Sequence, residues 1–173
     1  MIIQIQNNQR KYKVSYLRDF LEKTGKTIEK SIVYMTKLEP ESIEPVISVL
    51  LTNDKNIRNL NSIFRGIDKA TDVLSFPTLE TNGRILKTPD KEDIISYPDG
   101  RKEIELGDIA ISVYTVENHA AEIGNTFEEE LRFVFIHSVL HLLGYDHIDK
   151  RDESIMIREQ RRLIKLFEEN TNE

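Results

Sequence analysis

The chain predicts an α/β (α+β) fold: a small mixed sheet of about four strands packed with helices, one of which carries histidines and is buried in the core. Three observations predict it. Short alternating or β-branched apolar runs take turns with longer segments whose apolar residues recur every three to four positions. One of the longer segments, between Thr126 and Gly144, is apolar nearly all round, the mark of a helix covered on every side. The 173 residues are 39% hydrophobic and 31% charged, an ordinary balance for one soluble domain spanning residues 1–173.

In order along the chain, "MIIQIQ" alternates apolar and polar residues and predicts a strand. "SYLRDFLEKTG" and "SIVYMTKLE" predict two helices punctuated by Gly25. "PVISVLLTN", opened by Pro45, is a buried strand rich in β-branched residues. "DKNIRNLNSIFRG" has helical spacing at Ile57, Leu60, Ile63 and Phe64, with Asp54 as cap and Gly66 as stop. "TDVLSFP" is a short strand ended by Pro77. Residues 78–104 are polar, carry Pro89 and Pro98, and read as a flexible or extended excursion with a turn at Asp99–Gly100. "IELGDIAIS" resumes as a strand, "TVENHAAEIG" is a helix ending at Gly124, and "DESIMIREQRRLIKLFEE" is a last amphipathic helix.

Composition excludes several classes of function. With no cysteine, a disulfide framework is impossible and any metal site must use His, Asp or Glu. No apolar run reaches a membrane-spanning length and "MIIQIQNNQR" lacks signal-peptide architecture, so a cytoplasmic protein without a membrane partner is expected. The net charge of −6 argues against tight, non-specific nucleic-acid binding but leaves room for a local basic site.

Three of the four histidines fall within "HSVLHLLGYDH". Thr126 followed by Glu129 is a capping box that starts the preceding helix, and Gly144 is where it would stop in a left-handed conformation. His137 and His141, four apart, then share one helix face. The chain reverses at Gly144 and brings His147 back toward them. Two ring nitrogens on a buried helix need partners, and a metal ion satisfies both. Three imidazoles leave a fourth tetrahedral position for water, the pattern of a catalytic zinc site with one ion per chain. The bland alternative is three separate histidines, each satisfied by its own hydrogen bond. The spacing is also that of the metzincin peptidases, but their general-base glutamate would stand at position 138, which is Ser138.

Together with "RGIDKATDVLSFP" (Arg65 to Pro77) and "LGDIAIS" (Leu106 to Ser112), in this order and spacing, the histidine block resembles the YbeY family of bacterial endoribonucleases. The resemblance extends from about Pro45 into the last helix, including Met156 and Glu159. It implies a mixed-sheet fold, a zinc ion on His137, His141 and His147, and metal-dependent cleavage of single-stranded RNA. It implies a role for Arg65 at the substrate, in maturation of ribosomal RNA, notably the 3′ end of small-subunit RNA, and in ribosome quality control. The partners it implies are ribosomal RNA, the small subunit and its proteins, and an Era-type GTPase. The family's glycine after the first histidine is replaced here by Ser138, and the 78–104 excursion is longer than the family leads one to expect.

On these residues the expected catalytic groups are a metal-bound water and Arg65, whose planar, permanently charged fork suits a phosphate. The plainer role for Arg65 is a cation at a helix C-terminus. Asp146 and Ser138 are candidates for supporting the ligands, Asp146 equally for holding the turn. Lys69, Asp72, Asp108 and His119 have surface or strand-end roles as their simplest explanations. Arg158, Arg161, Arg162 and Lys165 form either a solvated face or an RNA contact. Two rivals stay open: a metallohydrolase of another substrate, such as a peptidase, and a non-catalytic ribosome-assembly factor whose metal is structural.

Overall fold

The computed structural model describes residues 1–36, 43–80, 89–147 and 149–170. The strands are β1 (Ile2–Asn7), β2 (Glu44–Thr52), β3 (Val73–Pro77), β4 (Ile94–Ser96) and β5 (Lys102–Ser112). The helices are α1 (Val14–Thr36), α2 (Asp54–Arg65), α3 (Val113–Ile123), α4 (Phe127–Leu142) and α5 (Lys150–Asn170). The mixed α+β class is as the sequence predicts, with five strands among the described residues rather than about four. None of the described helices is long and apolar enough to cross a membrane.

The sheet order is β1-β2-β5-β3; β1, β2 and β5 run parallel, whereas β3 and β4 pair antiparallel with β5. Strands β3 and β4 lie end to end along β5, at residues 107–111 and 102–104. Strand β4 is the element that the sequence reading folded into the excursion. A three-residue loop, Pro98 to Gly100, joins it to β5, with Gly100 at φ 88° and the Tyr97 and Arg101 backbones bonded across it at 2.9 Å. Part of the excursion, residues 81–88, lies outside the described residues.

One sheet face carries the main core. Leu17, Leu21, Ile28 and Ile32 of α1, the apolar face of α4, and Met156 and Leu163 of α5 pack there against Ile47, Leu51, Ile109 and Ile111. Helix α2 covers part of the other face through Ile57, which meets Leu74 and Ala110.

Gly25 does not punctuate two helices; it lies inside one continuous helix of 23 residues. It sits on the buried stripe with Leu21 and Ile28, where a Cβ would come within 2.8 Å of Ile3 Cδ1 and closer still to Met1 Cε. The residue is small so that α1 can lie against β1, and the helix tolerates its lower propensity. The cap of α2 is also one residue from where the sequence places it. Asn53 accepts from the Asn56 N–H at 3.0 Å, while Asp54 accepts from the hydroxyls of Ser112 (2.5 Å) and Thr115 (2.8 Å), tying α2 to the start of α3.

Strand β5 contains a bulge. Val46 pairs with Glu105 but Ile47 pairs with Gly107, so Leu106 is an extra residue. Before the bulge Ile104 and Leu106 face the core; after it Ile109 and Ile111 do. A one-residue change of apolar phase would turn a regular strand inside out, and the bulge absorbs it. Gly107, at φ 138°, takes up the conformation, and a Cβ there would overlap the Phe76 carbonyl oxygen.

Candidate metal centre

Helix α4 is built as the sequence requires. The Thr126 N–H donates to Glu129 Oε2 at 2.7 Å and the Glu129 N–H to Thr126 Oγ1 at 3.2 Å, closing the capping box. At the other end the Gly144 N–H reaches the His141 carbonyl and the Tyr145 N–H the Leu140 carbonyl, both at 3.0 Å, with Gly144 at φ 83°. This left-handed stop reverses the chain within two residues. It delivers His147 to the two helix histidines, with ring centroids 5.8 Å from His137 and 5.2 Å from His141. One ligand atom from each of the three imidazoles lies within 4.8 Å of the others.

Their protonation is settled by their partners. His141 Nδ1 lies 2.9 Å from the Tyr145 carbonyl oxygen, which can only accept, so Nδ1 carries the hydrogen. His137 Nδ1 lies 3.1 Å from Gln160 Oε1, while Gln160 Nε2 donates to the Phe133 carbonyl at 3.2 Å; the amide is therefore oriented to accept from the imidazole. Both Nε2 atoms then present lone pairs, and they face each other at 3.1 Å. Two acceptors cannot bond one another. A cation between them can satisfy both, and zinc–nitrogen bonds of about 2.0–2.1 Å at tetrahedral angles would hold the two nitrogens roughly 3.3 Å apart. The donor set thus fits a metal, and the separate-histidine alternative fails on this contact.

Burial, followed by the neighbouring His137, pushes His141 down to about 4; burial also lowers His137 below the usual imidazole range. Both are neutral and ready to ligate near neutral pH. In the metal-free protein the folded state of His141 resists protons that the unfolded chain accepts from about 6.5 downward. Stability is thus lost as pH falls from about 6.5, and the loss is complete near 4. Thermal melts of metal-free wild type and His141→Gln between about pH 7 and pH 5 check this, with the steeper decline expected in the wild type.

Gln160 is the site residue that sequence reasoning missed. It is 4% exposed and comes from α5, holding the ring of His137 from behind. A signal was present: it continues the apolar stripe Met156, Leu163, Phe167 at helical spacing, where a polar residue needs a buried partner. Its neighbour Glu159, to which the resemblance extends, pairs with Arg158 and Arg162 instead. Gln160→Leu should weaken metal affinity by roughly 10- to 100-fold while leaving all three ligands in place. Competition with a chromogenic chelator measures it.

The cluster lines a cleft of about 760 Å³ between α4, the 144–147 turn and β3. Arg65 lies in the same cleft with one Nη2 hydrogen bond to the Ser75 carbonyl at 3.2 Å, as do Asp72, Pro77, Phe133 and Asp146. Asp146 accepts the His147 N–H at 2.7 Å and so braces the turn. Ser138 is fully buried and its hydroxyl donates to the Val134 carbonyl at 2.8 Å, inside its own helix. Asp72 accepts the Val73 N–H at the start of β3. Asp108 is exposed on the other sheet face, beside Phe64 and Phe76. Lys69 is exposed, and His119 pairs with Glu130 at 2.8 Å, apart from the cluster. Arg158, Arg162 and Lys165 are engaged with Glu159 or Glu169, as on a solvated face.

The sequence model of the family Endoribonuclease YbeY matches residues 4–168. An Endoribonuclease YbeY of Caldicellulosiruptor bescii is 43% identical over 159 residues, covering 90% of each chain. One of Clostridium botulinum is 36% identical over 172 residues, 96% of this chain and 98% of that one. The solution structure of a Thermotoga maritima protein matches with a TM-score of 0.59 at 30% identity, over 99% of this chain and 93% of the other. The N-terminal strand and helix, which the three sequence blocks leave out, are thus part of the likeness, and the chain belongs to the YbeY family of endoribonucleases.

Proposed function

We propose that this endoribonuclease cleaves single-stranded RNA with a zinc ion held by His137, His141 and His147, in the maturation of ribosomal RNA in the cytoplasm. The observation that carries the metal is the pair of facing Nε2 lone pairs at 3.1 Å. Zinc bound there would supply Lewis acidity toward water and a phosphoryl oxygen. The chain's own residues do the rest. Gln160 and the Tyr145 carbonyl fix the tautomers that leave Nε2 free. The Ser75 carbonyl anchors one arm of the Arg65 guanidinium at the cleft wall, where the fork can take a phosphate. Ribosomal RNA, the small subunit with its proteins and an Era-type GTPase are the partners that this reading entails.

Both rivals lose their footing at the site. A peptidase of the metzincin kind needs a carboxylate where Ser138 stands, and that hydroxyl is turned into its own helix. A structural metal needs a fourth protein ligand, and among the described residues the ligand group comprises the three histidines alone.

The test assays one zinc-loaded preparation on single-stranded RNA, duplex RNA and casein, with Arg65→Lys and Arg65→Ala beside the wild type. Only the single strand should be cut. Arg65→Lys keeps the charge but loses the two-point fork, and should lower the rate roughly ten- to a hundredfold with zinc content and melting temperature unchanged. Full activity in Arg65→Ala would remove it from the mechanism, and proteolysis by the wild type would overturn the substrate assignment.

A further inference from the structure

We infer that Phe133 is a base-stacking platform in the cleft, and that it reads the single-stranded character of the substrate; this rests on the nuclease reading above. Helix α4 buries its apolar residues almost without exception: Leu131, Val134, Phe135, Ile136, Val139 and Leu140 are at most 2% exposed. Phe133 is 44% exposed and lines the same cleft as the histidines and Arg65. Leaving a large ring in water forgoes burial that every neighbouring apolar position obtains. Its backbone is not loose, since the Gln160 amide that holds His137 also donates to the Phe133 carbonyl.

The ring is set for a nucleotide. Phe133 precedes His137 by four residues on the same helix face, and the two rings are parallel within 10° at 6.3 Å. A flat apolar surface therefore stands one helical turn from the imidazole cluster, within reach of the base of a nucleotide whose phosphate lies at the cluster. A base in a duplex has both faces covered by its neighbours, whereas an unstacked base offers one to an aromatic side chain.

Charge does not supply the grip instead. Counting the imidazoles as neutral, the cleft's side-chain charges are Arg65 against Asp72 and Asp146, a formal −1 that a bound zinc ion would raise only to +1. With Arg65 the one side-chain cation among the described lining residues, few phosphates beyond the reacting one are contacted, so the salt dependence of binding should be shallow and a non-ionic contact adds to the hold on the strand.

The experiment compares cleavage of a strand that the zinc-loaded wild type cuts at one mapped bond with cleavage of copies carrying a single abasic residue at each flanking position. Phe133→Ala should lower kcat/KM on the intact strand roughly tenfold. One abasic position should do the same in the wild type and add nothing in Phe133→Ala, because both remove one contact. Phe133→Trp should retain activity, Phe133→Leu should not, and zinc content and melting temperature should be unchanged in all three. Wild-type activity in Phe133→Ala, full rescue by Leu, or abasic effects that multiply with the substitution at every position would overturn the assignment and leave the nuclease reading standing. A wild type that cuts no single strand would overturn both.

Discussion

His137→Ala should abolish metal binding and with it RNA cleavage. The loss should exceed the roughly 10- to 100-fold effect of removing a residue that only supports a ligand, because one of three imidazoles is gone. The substitution has a second consequence that is separable. It leaves Gln160 Oε1, on a side chain 4% exposed, without its imidazole donor, at a cost of about 1–3 kcal/mol. A double variant, His137→Ala with Gln160→Leu, should recover part of that stability and none of the metal. Elemental analysis and thermal melting of the three proteins separate the two effects: a single variant that keeps its zinc would mean that the ion is held elsewhere.

Gly107→Ala should be the most damaging single-methyl substitution in the sheet. At φ 138° any other residue is strained, and the added Cβ would overlap the Phe76 carbonyl oxygen and stand 3.0 Å from Pro77 Cα and Leu142 Cδ2. Backbone strain of about 1–3 kcal/mol and overpacking of about the same size add to a loss of roughly 2–6 kcal/mol. For a chain of this size that lowers the melting temperature by on the order of 10 °C. The strain falls on the site as well, because Leu142 follows His141 and β3 carries Ser75, the anchor of Arg65. Gly66→Ala is the control. Gly66 also has a positive φ, 72°, but a Cβ there meets nothing within 4 Å, so it should cost only the backbone term, about 1–3 kcal/mol. Equal melting temperatures for the two variants would show that the Phe76 approach is relieved by a shift of β3.

Much of this site is legible in the sequence because its determinants are local. The capping box at Thr126, the left-handed stop at Gly144 and the four-residue spacing of His137 and His141 are short-range features, and they fix the positions of the ligands on the helix. What is not legible depends on neighbours distant along the chain. Gly25 reads as a helix breaker until β1 is seen packed on it. Three residues of β4 form a strand only because β5 is there to pair with them. Gln160 holds His137 across 23 residues of chain, a pairing no periodicity encodes. The bulge in β5 lies between these cases. The apolar phase changes between Leu106 and Ile109 with a glycine at the break, which is a signal for a bulge that a plain strand assignment passes over.

The measurement that bears most directly on the metal-dependent nuclease is a zinc titration of metal-free protein with single-stranded RNA cleavage as the readout. Activity should rise from near zero in proportion to added zinc and level off at about one ion per chain, set by the three imidazoles. The His137→Ala, His141→Ala double variant should stay inactive at every concentration. Cleavage that is undiminished in chelated protein, or that the double variant regains on adding zinc, would contradict a reaction centred on these histidines.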